Sequence, residues 1–196
     1  FTGPGTCKVS CAGNIAGSNT VSYVVVAGGG GGGDGRGGGG GGGGFREGLG
    51  LNDSYTGSPL RAPTGVPVTA QGYPIVIGSG GNGATTPDDD GNPENPSSFS
   101  TITSTGCGKV GGVAPAVPTK IGGPGGSGGG AGGTFASSDG TNPGGTGNTP
   151  PVSPPQGNAG GNGVENGPPN VPGQSSHGAT CGGAGGAGSP LSLIHI

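Results

Sequence analysis

Residues 28–44 are all glycine except for Asp34 and Arg36. No other feature constrains this chain as much. A glycine run loses more backbone entropy on ordering than any other sequence, so alone it stays disordered. It also has no side chains to hold neighbouring chains apart. The conformation open to it is the extended helix with three residues per turn and no internal hydrogen bonds. In a collagen-like trimer only the axis is crowded, so glycine is needed at every third position. Unbroken glycine instead permits close approach on all sides. Since buried amides must find partners, the ordered alternative to disorder is a lattice of such helices, or of short strands, bonded to each other.

Composition extends this reading to the whole chain. Of 196 residues, 58 are Gly and 20 are Pro, while hydrophobic residues make up 26% and aromatics 4%, with no Trp or Met. An ordinary domain is roughly 45–50% apolar, so material for a conventional core is missing. Charged residues are 8%, with six Lys and Arg against nine Asp and Glu, a net charge of −3. That argues against binding a phosphate backbone. No apolar stretch approaches the roughly 20 residues of a membrane span, and no signal-peptide pattern opens the chain. Neither nucleic acid nor membrane insertion is expected.

Strand-like segments alternate with the glycine. Thr6–Cys11 alternates as a half-buried strand does. Val21–Ala27 is β-branched, aromatic and continuous enough for burial on both faces. Phe45-Arg46-Glu47-Gly48 closes the run with one aromatic and an ion-pair candidate. Val66–Ala70 and Tyr73–Gly78 read as two strands, with Pro67 and Pro74 placing them at strand starts or edges. Ser98–Ser104 alternates with period two and reads as the last strand. Every window long enough for a helix contains Gly or Pro in quantity, so none is expected. Strand followed by glycine recurs at 21–44, 73–83 and, more loosely, 99–112, a degenerate repeat that suggests stacking.

The expected fold is therefore all-β and irregular: short strands plus packed extended polyglycine segments, no helix, and a C-terminal third whose order the sequence leaves open. Residues 1–135 read as the glycine-rich strand domain and 136–190 as a Gly/Pro/Asn-rich low-complexity segment. Residues 191–196, Leu-Ser-Leu-Ile-His-Ile, match one reading of a transposase adapter end used in shotgun sequencing. On that reading the natural sequence stops near Pro190, and His195 carries no functional weight. The start at Phe1 reads as already inside a strand-and-turn region, so the natural N-terminus is expected to lie upstream.

Chemistry-bearing motifs are few. Gly28 onward matches G-x-G-x-x-G after a strand, but a dinucleotide site needs a helix there and glycine continues to Gly44. Gly108-Lys109-Val110 fails the last position of a phosphate-binding loop. Cys7, Cys11, Cys107 and Cys181 allow three disulfide pairings. On one strand Cys7 and Cys11 share a face roughly 13 Å apart, too far for a bridge without a bend. His177 and Cys181 could join them at a metal only as a loosely spaced set. Asp88-Asp89-Asp90-Gly91-Asn92 with Glu94 lacks the alternating spacing of a calcium loop and reads as a solvated acidic turn. Asn52-Asp53-Ser54 is a formal glycosylation acceptor. His177 sits in a Ser/Gly loop without rigid support, whereas catalytic groups must be held within a fraction of an ångström. No catalytic, cofactor-binding or metal residue is expected, and no enzyme.

Val21–Gly30, ending Val-Val-Ala-Gly-Gly-Gly, a long glycine run and then Gly43-Gly44-Phe45-Arg46-Glu47 resemble a family of glycine-rich domains common in phage and environmental viral genomes. Similar blocks are Tyr55–Leu60, Val68–Gly78 and Ser98–Ser104, in matching order over residues 1–135. Cys107 and Lys109 depart from it, falling where the family continues with glycine, and Thr134–Ala179 is unusually rich in Pro and Asn. The resemblance implies a virion-associated protein of a tail fibre or tail tip. It is also similar, more loosely, to tail-tip adhesins whose glycine segments pack as extended helices and whose loops touch the host.

On that basis the expected function is a non-enzymatic structural and receptor-binding module of a phage virion. Its partners would be a host cell-surface glycan or outer-membrane protein and other virion proteins, and a homo-oligomer is allowed. The exposed candidates for host contact are Tyr55, Tyr73, Asp88, Asp89 and Asp90, since binding residues concentrate on loops carried by a rigid scaffold. For Tyr55 and Tyr73 the competing reading is strand or turn packing. The alternative function is a secreted glycine-rich structural or surface-coat protein without a specific ligand, located outside the cell. An ice-binding variant would need a regular Gly-x-x period, which Pro150–Pro155 breaks. A chain with no fold of its own is the third option.

Overall fold

The fold is that of a computed structural model of the chain. The structure describes residues 1–14, 19–35, 37–50, 52–54, 57–86, 89–112, 120–133 and 141–164. Among these there is no helix, and all the strand pairs are short and antiparallel. The strands are β1 (Gly5–Lys8), β2 (Thr20–Val21), β3 (Tyr23–Val26), β4 (Phe45–Gly48), β5 (Val66–Pro67), β6 (Gly72–Val76), β7 (Ser97–Phe99), β8 (Ile102–Ser104), β9 (Thr141–Asn142) and β10 (Gly163–Val164). The largest sheet has the order β1-β6-β7-β8, and β2-β5, β3-β4 and β9-β10 form two-stranded pairs.

One small side-chain core lies among these strands. Tyr23, Val25, Val66, Val68 and Tyr73 are buried together, with Cys7, Val9, Val21, Phe99 and Ile102 packed around them. The Tyr73 and Phe99 rings meet tilted at 48°, their centroids 6.2 Å apart, a favourable aromatic geometry. β3 packs against β7 and β8, which joins the β3-β4 pair to the larger sheet.

Several expectations are corrected here. Val21–Ala27 is not one doubly buried strand. It breaks at Ser22, whose hydroxyl bonds Asp53 and accepts the Gly50 N–H at 2.7 Å. β3 then alternates, with Tyr23 and Val25 inward and Val24 and Val26 exposed. Ser98–Ser104 is a hairpin rather than one strand. Its register pairs Phe99 with Ile102 across a two-residue loop, and Ser100 takes φ 54°, as a loop matched to strand twist demands. A period-two pattern cannot distinguish one strand from two short ones folded back. Phe45–Gly48 is a full strand, paired residue for residue with Val26–Tyr23. Pro74 lies inside β6, between β1 and β7, not at an edge. Its carbonyl accepts the Ser100 N–H at 3.0 Å. The missing N–H thus faces the hairpin loop, where no ladder bond is lost.

The β3-β4 ladder does not end at Val26 and Phe45. It continues through Ala27 N–H to Gly44 O (3.0 Å), Gly30 N–H to Gly41 O (2.8 Å) and Gly33 N–H to Gly38 O (3.1 Å). The step has changed from two residues to three, the repeat of the extended glycine helix. The β6-β7 pair is prolonged in the same way, with Asn95 N–H to Ser79 O and Asn92 N–H to Asn82 O. Gly81 and Ala84 donate to Gly29 and Gly32; Gly108 and Gly111 to Ser127 and Gly130; Gly122 and Gly125 to Pro143 and Thr146; Gly128 and Ala131 to Asn158 and Gly161. The packed-polyglycine alternative is therefore the one realised. Segments 27–33, 38–44, 79–84, 90–95, 105–112, 120–125, 126–132, 142–148 and 157–163 satisfy each other's amides between segments.

Glycine is obligatory where two backbones meet. A Cβ on Gly122 would overlap the Gly129 carbonyl, and one on Gly108 the Gly123 carbonyl. Cys107 and Val110, 2% and 0% exposed, form a small apolar cluster inside the lattice. They lie three apart, on one side of segment 105–112, against Gly30 and Gly38. The departure at Cys107 and Lys109 therefore leaves that segment in the lattice. Of the C-terminal third, residues 141–164 are bonded into the same lattice as 120–132. The reversal at 149–156 is organised by two amide side chains. Asn148 accepts the Val152 and Gln156 N–H groups. Gln156, fully buried, accepts the Thr105 N–H at 2.8 Å and donates to Pro150 O at 3.0 Å.

Candidate functional site

Two surfaces stand out: the loop end of the lattice and an apolar groove beside β3. Residues 34, 35 and 37 meet residues 84–86 and 89–90 at the end of the lattice away from the strands. Gly37 N–H closes a turn on Asp34 O at 2.9 Å, with Gly35 at φ 65°, a conformation glycine adopts at no steric cost. Asp34 N–H reaches Asp89 O at 3.4 Å, which joins the two loops.

The candidate residues separate sharply. Tyr55 and Asp88 lie outside the described residues. Tyr73, expected as an exposed contact residue, is 5% exposed and belongs to the core. Its hydroxyl accepts the Thr69 N–H at 2.7 Å and the Gln71 side-chain amide at 3.0 Å. The Thr69 hydroxyl and amide bonds pull its phenol below the ordinary value, against the opposing effect of burial. The packing reading accounts for this tyrosine. Asp89 is exposed, accepting from Thr86 Oγ1 at 3.2 Å and from the Asp90 N–H at 2.8 Å.

Asp90 is half-buried and fully engaged. Its carboxylate meets Lys109 Nζ at 3.0 Å and Lys120 Nζ at 3.1 Å, and it accepts the Gly112 N–H at 2.9 Å. Partial burial pushes this carboxyl up. The Gly112 amide and the two ammonium groups outweigh that and hold it below the ordinary value of 3.8. Asp90 thus clamps segments 90–95, 105–112 and 120–125 together. Lys109 entered the sequence reading as part of a failed phosphate-loop match and as a departure from glycine, and Lys120 not at all. A period-three reading of segment 105–112 would have marked Lys109 as an outward position, since Gly108 and Gly111 face segment 120–125.

The remaining chemistry is quickly placed. Arg46 donates to Thr103 O at 3.4 Å, and Glu47 accepts the Ser58 N–H at 2.8 Å. Cys11 is exposed beyond β1, Cys7 half-buried and Cys107 buried, and no disulfide joins these three. His177 and Cys181 lie outside the described residues, as do residues 191–196. Among the described residues no cluster of His, Cys, Asp or Glu could hold a metal ion. No helix among them is long and apolar enough to cross a membrane.

The apolar groove has a volume of about 470 Å³ and is lined by residues of β3, β6 and β7 together with Phe1, Cys7, Ser22 and Ile77. It was not anticipated, because Val21–Ala27 was read as buried on both faces and so left no open edge.

A family model described as a glycine-rich domain covers residues 4–192. No curated protein and no solved structure matches the chain.

Proposed function

The chain belongs to the glycine-rich domain family, and on that premise we propose that it is a non-enzymatic structural and receptor-binding module of a phage virion. In this reading it forms part of a tail fibre or tail tip and touches a host-surface glycan or outer-membrane protein. The observation that carries the proposal is the lattice itself. Ladders stepping by three residues produce a scaffold almost without side chains, with Asp34 and Asp89 meeting at one end. Recognition loops on a rigid support are a common arrangement for binding. The strand-then-glycine blocks that resemble viral glycine-rich domains support the same reading. Localisation in the virion follows from it and shares its fate.

A secreted coat protein without a specific ligand is the second reading. It is favoured by the commitment of Tyr73 to the core and of Asp90 to Lys109 and Lys120. Of the five contact candidates, Asp89 is the one the structure describes as exposed. Binding of the labelled chain to a panel of bacterial cells separates the two. The first reading expects saturable binding to some strains, competed by their extracted surface glycan or outer-membrane fraction, and weakened when Thr86 and Asp89 become Ala. No saturable binding to any strain, or binding indifferent to those changes, would discard it. The flanking genes give an independent check: a tail-assembly cluster agrees with the first reading, and a secretion signal on the complete gene contradicts it.

A further inference from the structure

β3 is the edge of a two-stranded pair: β4 occupies one side, and no strand among the described residues pairs with the other. Every residue from Ser22 to Val26 lines the apolar groove, inward-facing and outward-facing alike. A sheet face would present only alternate residues, so the groove wall includes the unpaired edge. Such an edge is a template for another strand, and proteins usually blunt it with Lys, Pro, a bulge or a covering loop. β3 reads Tyr-Val-Val-Val and carries neither Lys nor Pro.

The side chains around that edge point the same way. Phe1, Val24, Val26, Val76 and Ile77 are large, apolar and exposed, and all of them line this groove. The other exposed large apolar residue among those described is Ile121. In a chain that is only 26% hydrophobic, this concentration is not ordinary surface scatter. No Lys, Arg, Asp or Glu lines the groove, although the chain carries six basic and nine acidic residues.

We propose that this surface is the interface of a homodimer, in which two copies pair antiparallel along β3 about a two-fold axis. The occupant is a second copy because the surface suits itself. Antiparallel edge pairing sets the same four residues against themselves across the axis, as an isologous contact requires. Val24 and Val26 of the two copies then cover each other as cross-strand neighbours. A patch lined by no charged side chain meets its own image without side-chain charge repulsion. Main-chain bonds along the paired edges carry part of the affinity. Dissociation is expected in the micromolar range. This proposal is independent of whether the module is viral.

Sedimentation equilibrium of the full chain from about 1 to 200 µM tests it, that range bracketing a micromolar dissociation constant. The unaltered chain is expected to pass from monomer to dimer. Val24→Lys with Val26→Lys, both at exposed positions, should weaken association at least tenfold, and Ile121→Lys should leave it unchanged. Hydrogen exchange on the unaltered chain is a second reading that needs no variant: groove-facing amides of Tyr23–Val26 should gain protection as concentration rises. A monomer throughout the range overturns the proposal, as does a double variant that dimerises like the unaltered chain or an Ile121 variant equally impaired. Groove-side protection independent of concentration in a monomer also overturns it, because the chain then covers its own edge.

Discussion

The strand module and the glycine lattice are continuous in the backbone and opposite in what holds them. Around Tyr23, Val25, Val66, Val68 and Tyr73 the chain buries side chains, each contributing about 1.5–3 kcal/mol on leaving water. In the lattice there is little to bury beyond Cys107, Val110 and Ala131. There the gain is backbone hydrogen bonding, about 0.5–1.5 kcal/mol net per bond, set against about 1–2 kcal/mol of backbone entropy per ordered residue. The module needs large residues that fit, and the lattice needs the absence of any. The two are coupled because the β3-β4 and β6-β7 ladders run directly into glycine ladders. The module therefore fixes the alignment from which the first glycine pairs grow.

That contrast predicts opposite mutational responses. The largest effect is expected in the lattice from adding atoms. Gly122→Val sets a branched side chain against the Gly129 carbonyl and should cost more than about 4 kcal/mol, since neither backbone can yield cheaply. Hydrogen exchange should then show the bonded amides of 120–132 and 142–148 at free-peptide rates. Native-like protection there would end the close-approach argument. In the module the damaging change is removal. Tyr73→Ala should lose about 3–5 kcal/mol by denaturant titration, and Tyr73→Phe about 1 kcal/mol, for the hydroxyl bonds to Thr69 and Gln71. Whether Tyr73→Ala also releases the amides of 27–44 sharpens the comparison. Loss of both together makes the molecule one cooperative unit, and survival of the glycine ladder makes it two.

A smaller effect belongs to Asp90. Because the pair is partly solvated, Asp90→Asn should cost only about 1 kcal/mol. Its carboxyl lies lower in the folded chain than its ordinary value of 3.8. Its contribution is thus present above that value and is lost as pH falls through the folded one. Unfolding midpoints measured from pH 2 to 6 should fall at the acid end for the unaltered chain and less steeply for Asp90→Asn. Equal slopes would show that the clamp adds nothing. The smallest change is expected at Gly42, where no described atom lies within 4 Å of a Cβ. Gly42→Ala should shift stability by about 0.5 kcal/mol or less, in the stabilising direction. A cost like that at Gly122 would mean that this side of the lattice is also covered.

Much of the fold is legible in the residues, though unevenly. β-branched clusters such as Tyr23–Val26 announce strands, and glycine runs directly after them announce extended segments. The Ser98–Ser104 hairpin is hidden because alternation is the same before and after a turn. Phe45–Gly48 is hidden because one aromatic and two charges carry no strand period, and pairing with Val26–Tyr23 alone decides it. The site is less legible still. Asp90 looks like an exposed polar contact in a turn-rich stretch, and Tyr73, at a strand start, reads equally as contact or as packing. Their engagement depends on Thr69, Gln71, Lys109, Lys120 and Gly112, partners that composition does not select.

By itself the sequence determines that this chain cannot close a conventional core and that its glycine must order between segments or not at all. Entropy and sterics make that a local property, readable residue by residue. Which segments lie side by side is decided only by the tertiary structure, and so is which direction they run and which glycines abut a carbonyl. A glycine backbone offers every neighbour the same amides. The choice among them comes from the few side chains that lock the register: the Tyr23–Tyr73 core at one end, Gln156 and Asn148 at the proline-rich reversal, and Asp90 at the loop end.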